Sequence, residues 1–212
     1  MITLTTLKNV PPFAQGLVRD LRVRWALEEA GIPYETRLLT PNEHKAPEHV
    51  ARQPFGQVPV IQDGELTLFE SGAIVLHIGQ CSDRLLPEET GARARAHAWL
   101  IAALNSVEPH IAQLVEVDIF HPDKEWAQMR RPLVEKGLIA RLECLAKWLN
   151  GREWLEDEFS VGDLMMASVL RILRHTDLVT ADPVLGPYLA CCEARPPFGR
   201  ALADHMAVHE AA

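Results

Sequence analysis

The sequence predicts two units of different class, a mixed α/β unit to about residue 82 and an all-helical unit after it. Three observations predict this. Strand-like runs cluster before residue 70. An Asp-Gly pair sits between two short apolar runs. After about residue 90 strand signals nearly vanish and long helical periodicities take over.

The elements follow in order. Ile2 to Leu7 alternates apolar residues with threonine and reads as a strand. Lys8 to Gln15 carries two prolines and reads as a loop. Leu17, Val18, Leu21 and Trp25 recur at helical spacing, Gly31 stops that helix, and Pro33 forbids its continuation. Tyr34 to Leu39 gives a second strand, so strand, helix and strand form a parallel βαβ unit. Thr40 to Gln53 is polar and reads as irregular or short-helical. Pro59 cannot donate to a ladder, so it belongs at a strand start or an edge. Asp63-Gly64 is a hairpin signal, because glycine accepts the positive φ of a tight turn. Glu70-Ser71 opens a helix whose face carries Ile74, His77, Ile78 and Cys81, which predicts a core position for His77. The order β-α-β then β-β-α is thioredoxin-like.

Asp83 to Gly91 reads as a linker. Arg93 to about Asp118 and Glu125 to about Asn150 are long helical runs. Ser160 and Asp163 have the spacing of a capping box ahead of a helix over Leu164 to Leu173. Further helices cover Val184 to Ala194 and Phe198 to about Val208. The expected division is residues 1–82, a linker over 83–91, and a helical domain over 92–212.

Composition narrows the function classes. The chain has 212 residues, and 21 Lys and Arg against 29 Asp and Glu leave a net charge of −8. Such an acidic balance, with scattered arginines, argues against nucleic acid, which requires a concentrated basic face. No apolar run is long enough for a membrane span, and no basic segment followed by an apolar stretch marks a secretory leader. The expected location is cytoplasmic. The four cysteines, Cys81, Cys144, Cys191 and Cys192, form no Cys-x-x-Cys pair and are expected reduced and buried. No His-Glu-x-x-His occurs, and two His at 205 and 209 do not make a site, so no metal is expected. His205 and His209 are expected on exposed turns, and Arg19, Arg22 and Arg24 on solvated faces and in local pairs.

The chemistry concentrates between Pro54 and Ser71. The Val58 main chain precedes a strand and can pair with an extended peptide. Glu70 offers an acceptor, and Ser71 a hydroxyl at a helix start. Together they suit an α-amino acid end, with its ammonium and carboxylate.

Gln57-Val58-Pro59 followed by Glu70-Ser71 resembles the glutathione-binding half of the soluble glutathione S-transferases. The run from Arg22 to Tyr34 resembles the first helix of that family and its exit. Phe159 to Asp163 resembles its capping motif, and Cys192 to Phe198 the run before its last helix. The four motifs occur in the family's order and span nearly the whole chain. The resemblance is to a bacterial-like member that lacks the usual catalytic Ser, Tyr or Cys.

The resemblance implies roles residue by residue. Val58 pairs with the cysteinyl part of glutathione, Pro59 is the family's cis-proline, and Glu70 with Ser71 holds the γ-glutamyl end. Gln57 and His44 reach the glycine carboxylate. Val10, Pro11 and Phe13 form an apolar shelf for a second, electrophilic substrate, with the helical domain as its other wall. The family places its catalytic hydroxyl in the loop after the first strand; here Leu17 stands at that position, and no Ser, Tyr or Cys lies between Lys8 and Tyr34. Asn9 and Gln15 are the candidate replacements, together with main-chain N–H groups from Phe13 to Gly16. The implied activity is conjugation of glutathione to small hydrophobic electrophiles, or a related peroxide or disulfide reduction or isomerisation. The alternative is a glutathione-binding regulatory or stress protein with little turnover. A homodimer, formed through the helices after Ser71 and Arg93, is also implied.

Overall fold

The computed structural model describes residues 1–40 and 42–210. The chain divides by packing into two compact units. One is Met1–Glu88 with the segment from Ala194 onward; the other is Glu89–Glu193.

The first unit is built on a four-stranded sheet of order β2-β1-β3-β4, with β1 at Ile2–Leu7, β2 at Tyr34–Leu39, β3 at Val60–Asp63 and β4 at Leu66–Phe69. β1 and β2 are parallel, joined by helix α1 (Asp20–Ala30). β3 runs antiparallel to β1 and pairs with β4 in a hairpin. A short helix α2 (Pro47–Val50) precedes β3, and α3 (Ser71–Gln80) follows β4. This is the thioredoxin-like arrangement that the element order predicts. Leu4, Val60 and Ile61 of the sheet and Val23, Leu27, Ile74 and Ile78 of α1 and α3 are fully buried.

The hairpin turn lies one residue later than Asp63-Gly64 suggests. Asp63 pairs with Leu66, so Gly64 and Glu65 are the central residues. Of these only Gly64 has a positive φ, 59°, the pattern of a type II′ turn, which calls for glycine first.

Helix α9 (Pro196–Glu210) completes this unit by packing on α1. Phe198 meets Trp25 edge to face, with ring centroids 4.8 Å apart. The Arg195 guanidinium grips the Glu29 carboxylate with bonds of 2.6 and 2.8 Å. This packing corrects several expectations. Arg22 and Arg24 are buried rather than solvated, and only Arg19 is exposed. His205 is buried rather than exposed. A polar side chain is buried where a partner satisfies it: Arg22 meets Ser71 of α3, and Arg24 and His205 both meet Asp20 of α1. His77 is not a core residue: it is half-buried, and its Nε2 lies 3.1 Å from Asp63 Oδ2 on the hairpin. Of the cysteines only Cys192 is buried, while Cys81 and Cys144 are exposed.

The second unit is helical. Helix α4 (Thr90–Ala102) runs through a π-turn at Ala103–Val107 into α5 (Glu108–Val115) and a second π-turn at Glu116–Phe120. Helices α6 (Glu125–Leu149), α7 (Val161–Leu170) and α8 (Leu185–Glu193) follow. α7 is buried along most of its length, and α4 packs beside it. Its capping box forms as the spacing predicts: Ser160 Oγ accepts from Gly162 N at 3.1 Å, and Asp163 Oδ2 accepts from Ser160 N at 3.1 Å. Asp163 also accepts from Leu155 N (2.9 Å) and from the Tyr188 hydroxyl (3.0 Å). Burial pushes its carboxyl up to about 6, against the pull of those hydrogen bonds. Among the described residues, no helix is long and apolar enough to cross a membrane.

Candidate functional site

Strand register gathers the predicted site residues at one end of the sheet. Val60 pairs with Phe69 in the hairpin and with Thr5 of β1. One step further along, the chain at Val58-Pro59 lies beside Glu70-Ser71 and beside the end of β1, where the loop to α1 begins. Residues more than ten apart in sequence thus share one edge because the ladder spacing fixes it.

The Val58-Pro59 bond is cis. Among the described residues, neither the N–H nor the C=O of Val58 makes a hydrogen bond. Residues on either side of it are held. The buried Gln53 side chain accepts from Phe55 N (2.6 Å) and Gln57 N (3.2 Å). His49, also buried, stands with Nε2 at 2.7 Å from the Gln57 carbonyl; a carbonyl only accepts, so Nε2 carries the proton. Gly56 has a φ of 63°, and a Cβ there would stand 3.0 Å from the His44 carbonyl. That close approach sets His44 against the segment carrying Gln57. His44 is half-buried, and its Nδ1 is buried without a partner among the described residues. Gln57 is exposed.

Glu70 is the residue preceding α3, with φ 69° and ψ 116°, and its side chain does not cap the helix. A non-glycine residue at positive φ is held there by its surroundings, and such strain concentrates at functional sites. Its carboxylate is exposed and has no partner among the described residues. Ser71 is buried at the first turn of α3, and its Oγ accepts from Arg22 Nη1 at 3.2 Å. With Arg22 donating to it, the hydroxyl proton is left to turn toward an incoming acceptor. The first N–H groups of α3 add positive potential at the same place.

The loop from β1 to α1 is less open than expected. A 3₁₀ turn at Pro12–Ala14 ties it together. The Ala14 N–H donates to Pro11 O, Gln15 N–H to Pro12 O, and Leu17 N–H to Ala14 O, at 2.8, 3.3 and 2.9 Å. Gly16 N–H donates to His205 Nε2 at 3.1 Å. Most of the main-chain donors from Phe13 to Gly16 are therefore already engaged. Asn9 is exposed, Gln15 half-buried, and Leu17 half-buried. Val10 is half-buried, Pro11 exposed, and the Phe13 ring 48% exposed. They form an apolar strip at the loop.

Three supporting residues carry no signal in a single sequence. Gln53, His49 and Arg22 hold the two halves of the site, yet each reads as ordinary surface polarity. Among the described residues, no three His, Cys, Asp or Glu side chains converge to hold a metal.

Residues 15–80 match the family model of the glutathione S-transferase N-terminal domain. Glutathione S-transferase 4 of Zea mays is 32% identical over 190 residues, covering 82% of this chain and 83% of that protein. A glutathione transferase from Burkholderia graminis, solved with two glutathione molecules bound per subunit, is 25% identical with a TM-score of 0.83, covering 95% of this chain and 87% of its own. Glutathione transferase F7 from Populus trichocarpa shares the fold at a TM-score of 0.83 and 24% identity, over 97% of this chain and 99% of its own. The chain belongs to the soluble glutathione S-transferase family of enzymes.

Proposed function

We propose that the protein binds glutathione along the edge at Val58 and transfers its thiolate to small hydrophobic electrophiles. The observation that carries this reading is the main chain of Val58, free among the described residues, beside an exposed Glu70 that is likewise unpaired there and a Ser71 hydroxyl at a helix start. The cysteinyl amide of the tripeptide pairs with the Val58 N–H and C=O, as an added strand would. The γ-glutamyl ammonium meets Glu70, and its carboxylate takes the Ser71 hydroxyl proton and the first N–H groups of α3. Gln57 and His44 serve the glycine carboxylate. In the reaction the thiolate attacks an electrophilic carbon, a C–S bond forms, and the leaving group departs with its electron pair. Val10, Pro11 and Phe13 offer the electrophile an apolar surface. A free thiol ionises near about 8.5, so about two units of lowering require about 2.7 kcal/mol of thiolate stabilisation. Asn9 and Gln15 are the side chains of the loop able to contribute.

Glutathione titrated by calorimetry, followed by turnover of a generic aryl halide, tests the reading. Heat of binding with turnover supports it; no heat at millimolar glutathione overturns it. A second reading, glutathione binding with little turnover, is favoured by Leu17 standing where the family places a hydroxyl. Binding without turnover across a broad electrophile panel selects it, and a gain of turnover in Leu17→Ser strengthens it further. We also propose a cytoplasmic homodimer, which sedimentation would test through the mass in solution.

A further inference from the structure

A buried polar chain runs from α1 through α9 into the β1–α1 loop. Asp20, at the start of α1, is 1% exposed, Arg24 2% and His205 1%. Asp20 Oδ2 accepts from Arg24 Nε at 2.9 Å, one turn along α1. The same oxygen stands 3.2 Å from His205 Nδ1. On the far side of the ring, Gly16 N–H points at His205 Nε2 from 3.1 Å. His209, one turn further along α9, has its Nε2 3.3 Å from His205 Nε2 and its Nδ1 3.2 Å from the Lys8 carbonyl. Lys8 N–H is itself fixed to Leu39 O at 2.8 Å. One helix therefore reaches both ends of the loop, at Lys8 and at Gly16.

Proton positions follow from the donors. Burial works to raise the Asp20 carboxyl, but the hydrogen bond from His205, together with the charge and hydrogen bond of Arg24, outweighs it and holds the group below the ordinary aspartate value. An ionised Asp20 only accepts, so Nδ1 of His205 carries a proton; the Gly16 N–H aimed at Nε2 calls for an acceptor there, which the Nδ1–H tautomer provides. The Gly16 backbone, at φ 76°, is buried and has its amide turned inward to meet Nε2. The carboxylate thus selects the tautomer, and the tautomer selects the conformation of the loop.

We propose that His205, oriented by Asp20, is a positioning residue for the glutathione site, fixing the main chain from Pro12 to Leu17 against which the sulfur is activated. The proposal rests on the glutathione reading above. This loop lacks a catalytic hydroxyl, so thiolate stabilisation falls to groups whose placement depends on the loop backbone. Position, not added charge, is then what α9 supplies.

Two measurements test it. In the wild-type protein, ¹⁵N–¹H NMR of the His205 ring reads the tautomer directly: the Nδ1–H form is expected, and an Nε2–H form overturns the proposal without any mutation. In variants, glutathione affinity, kcat and the thiolate absorbance of bound glutathione are read together. Asp20→Asn is nearly isosteric, yet its amide can donate to Nδ1, which puts the proton on Nε2 facing the Gly16 N–H. Asp20→Asn and His205→Leu are expected to keep the glutathione dissociation constant within about threefold and to lose about tenfold or more in kcat and most of the thiolate absorbance. His205→Gln, whose side-chain oxygen can accept from Gly16, is expected to recover part of both. Unchanged kcat and absorbance in Asp20→Asn overturn the proposal, and so does a His205→Gln variant no better than His205→Leu. Absence of glutathione binding in the wild type instead fells the reading of the site, and the tautomer measurement still decides the loop anchor.

Discussion

Two helix starts in this molecule use the same residue types to opposite ends. At α7, Ser160 and Asp163 satisfy one another and their neighbours: Gly162 N, Ser160 N, Leu155 N and the Tyr188 hydroxyl all find an oxygen there. At α3, Glu70 caps nothing, sits at positive φ, and leaves its carboxylate exposed and unpaired among the described residues, while Ser71 is held from behind by Arg22. The first start is closed, and its polar groups are spent on the fold. The second is open, and its polar groups are left over. A serine beside an acid at a helix start does not by itself distinguish structure from function; the count of satisfied partners does.

The contrast is broken most forcefully at Asp163. Asp163→Ala strips the acceptor from four buried donors, the N–H groups of Leu155 and Ser160 and the hydroxyls of Ser160 and Tyr188, and is expected to destabilise the protein by about 3 kcal/mol or more, read by denaturant unfolding. The pH dependence carries a sign. The folded carboxyl is raised to about 6 from an ordinary 3.8. Its contribution to stability is therefore fully present below pH 3.8 and is lost as the pH rises through about 6. Asp163→Asn, which cannot ionise, should compare worst with the wild type near pH 4 and progressively better toward pH 7.5, by up to about 3 kcal/mol. A constant gap across that range would show that the buried carboxyl titrates normally.

At the open start the expected loss is in binding, not stability. Glu70→Ala or Ser71→Ala should weaken glutathione binding by about 1.5–3 kcal/mol, since each removes a hydrogen bond to a charged group. Calorimetry that finds both dissociation constants unchanged would place the ligand elsewhere. Ser160→Ala should cost about 1 kcal/mol of stability and leave glutathione affinity intact. Glu70→Gly sharpens the comparison furthest: relief of the positive φ should raise stability by about 1 kcal/mol while glutathione binding falls. A melting curve that drops instead would mean that the Glu70 side chain supports the fold.

The sequence makes the open start legible because its signals are local. Gly64 marks the turn, Pro59 the strand start, and the ladder between β3 and β4 does the rest. The capping box at 160–163 is legible for the same reason. The buried polar chain on α1 is not. Arg22 and Arg24 read as solvated or locally paired, and the partner of Arg22, Ser71, and that of Asp20, His205, lie 49 and 185 residues away. His205 and His209 mislead in the same manner, since four-residue spacing says that they share a face but not what that face meets. Gln53 and His49 shape the site through main-chain groups of Phe55 and Gln57, and no residue type advertises such a role. Burial of a polar group is decided by its tertiary partner, which periodicity cannot see.

The first unit is discontinuous: α1 lies near its beginning, and the helix that covers α1 is drawn from beyond residue 194. During synthesis the ribosome delivers α1 long before Phe198, Arg195 and His205 emerge to meet Trp25, Glu29 and Asp20. Until then the nascent chain displays a tryptophan and unpaired charges that the finished protein hides. A chain cut off before residue 194 would keep that surface permanently uncovered, which makes it a natural client for chaperones and quality-control proteases.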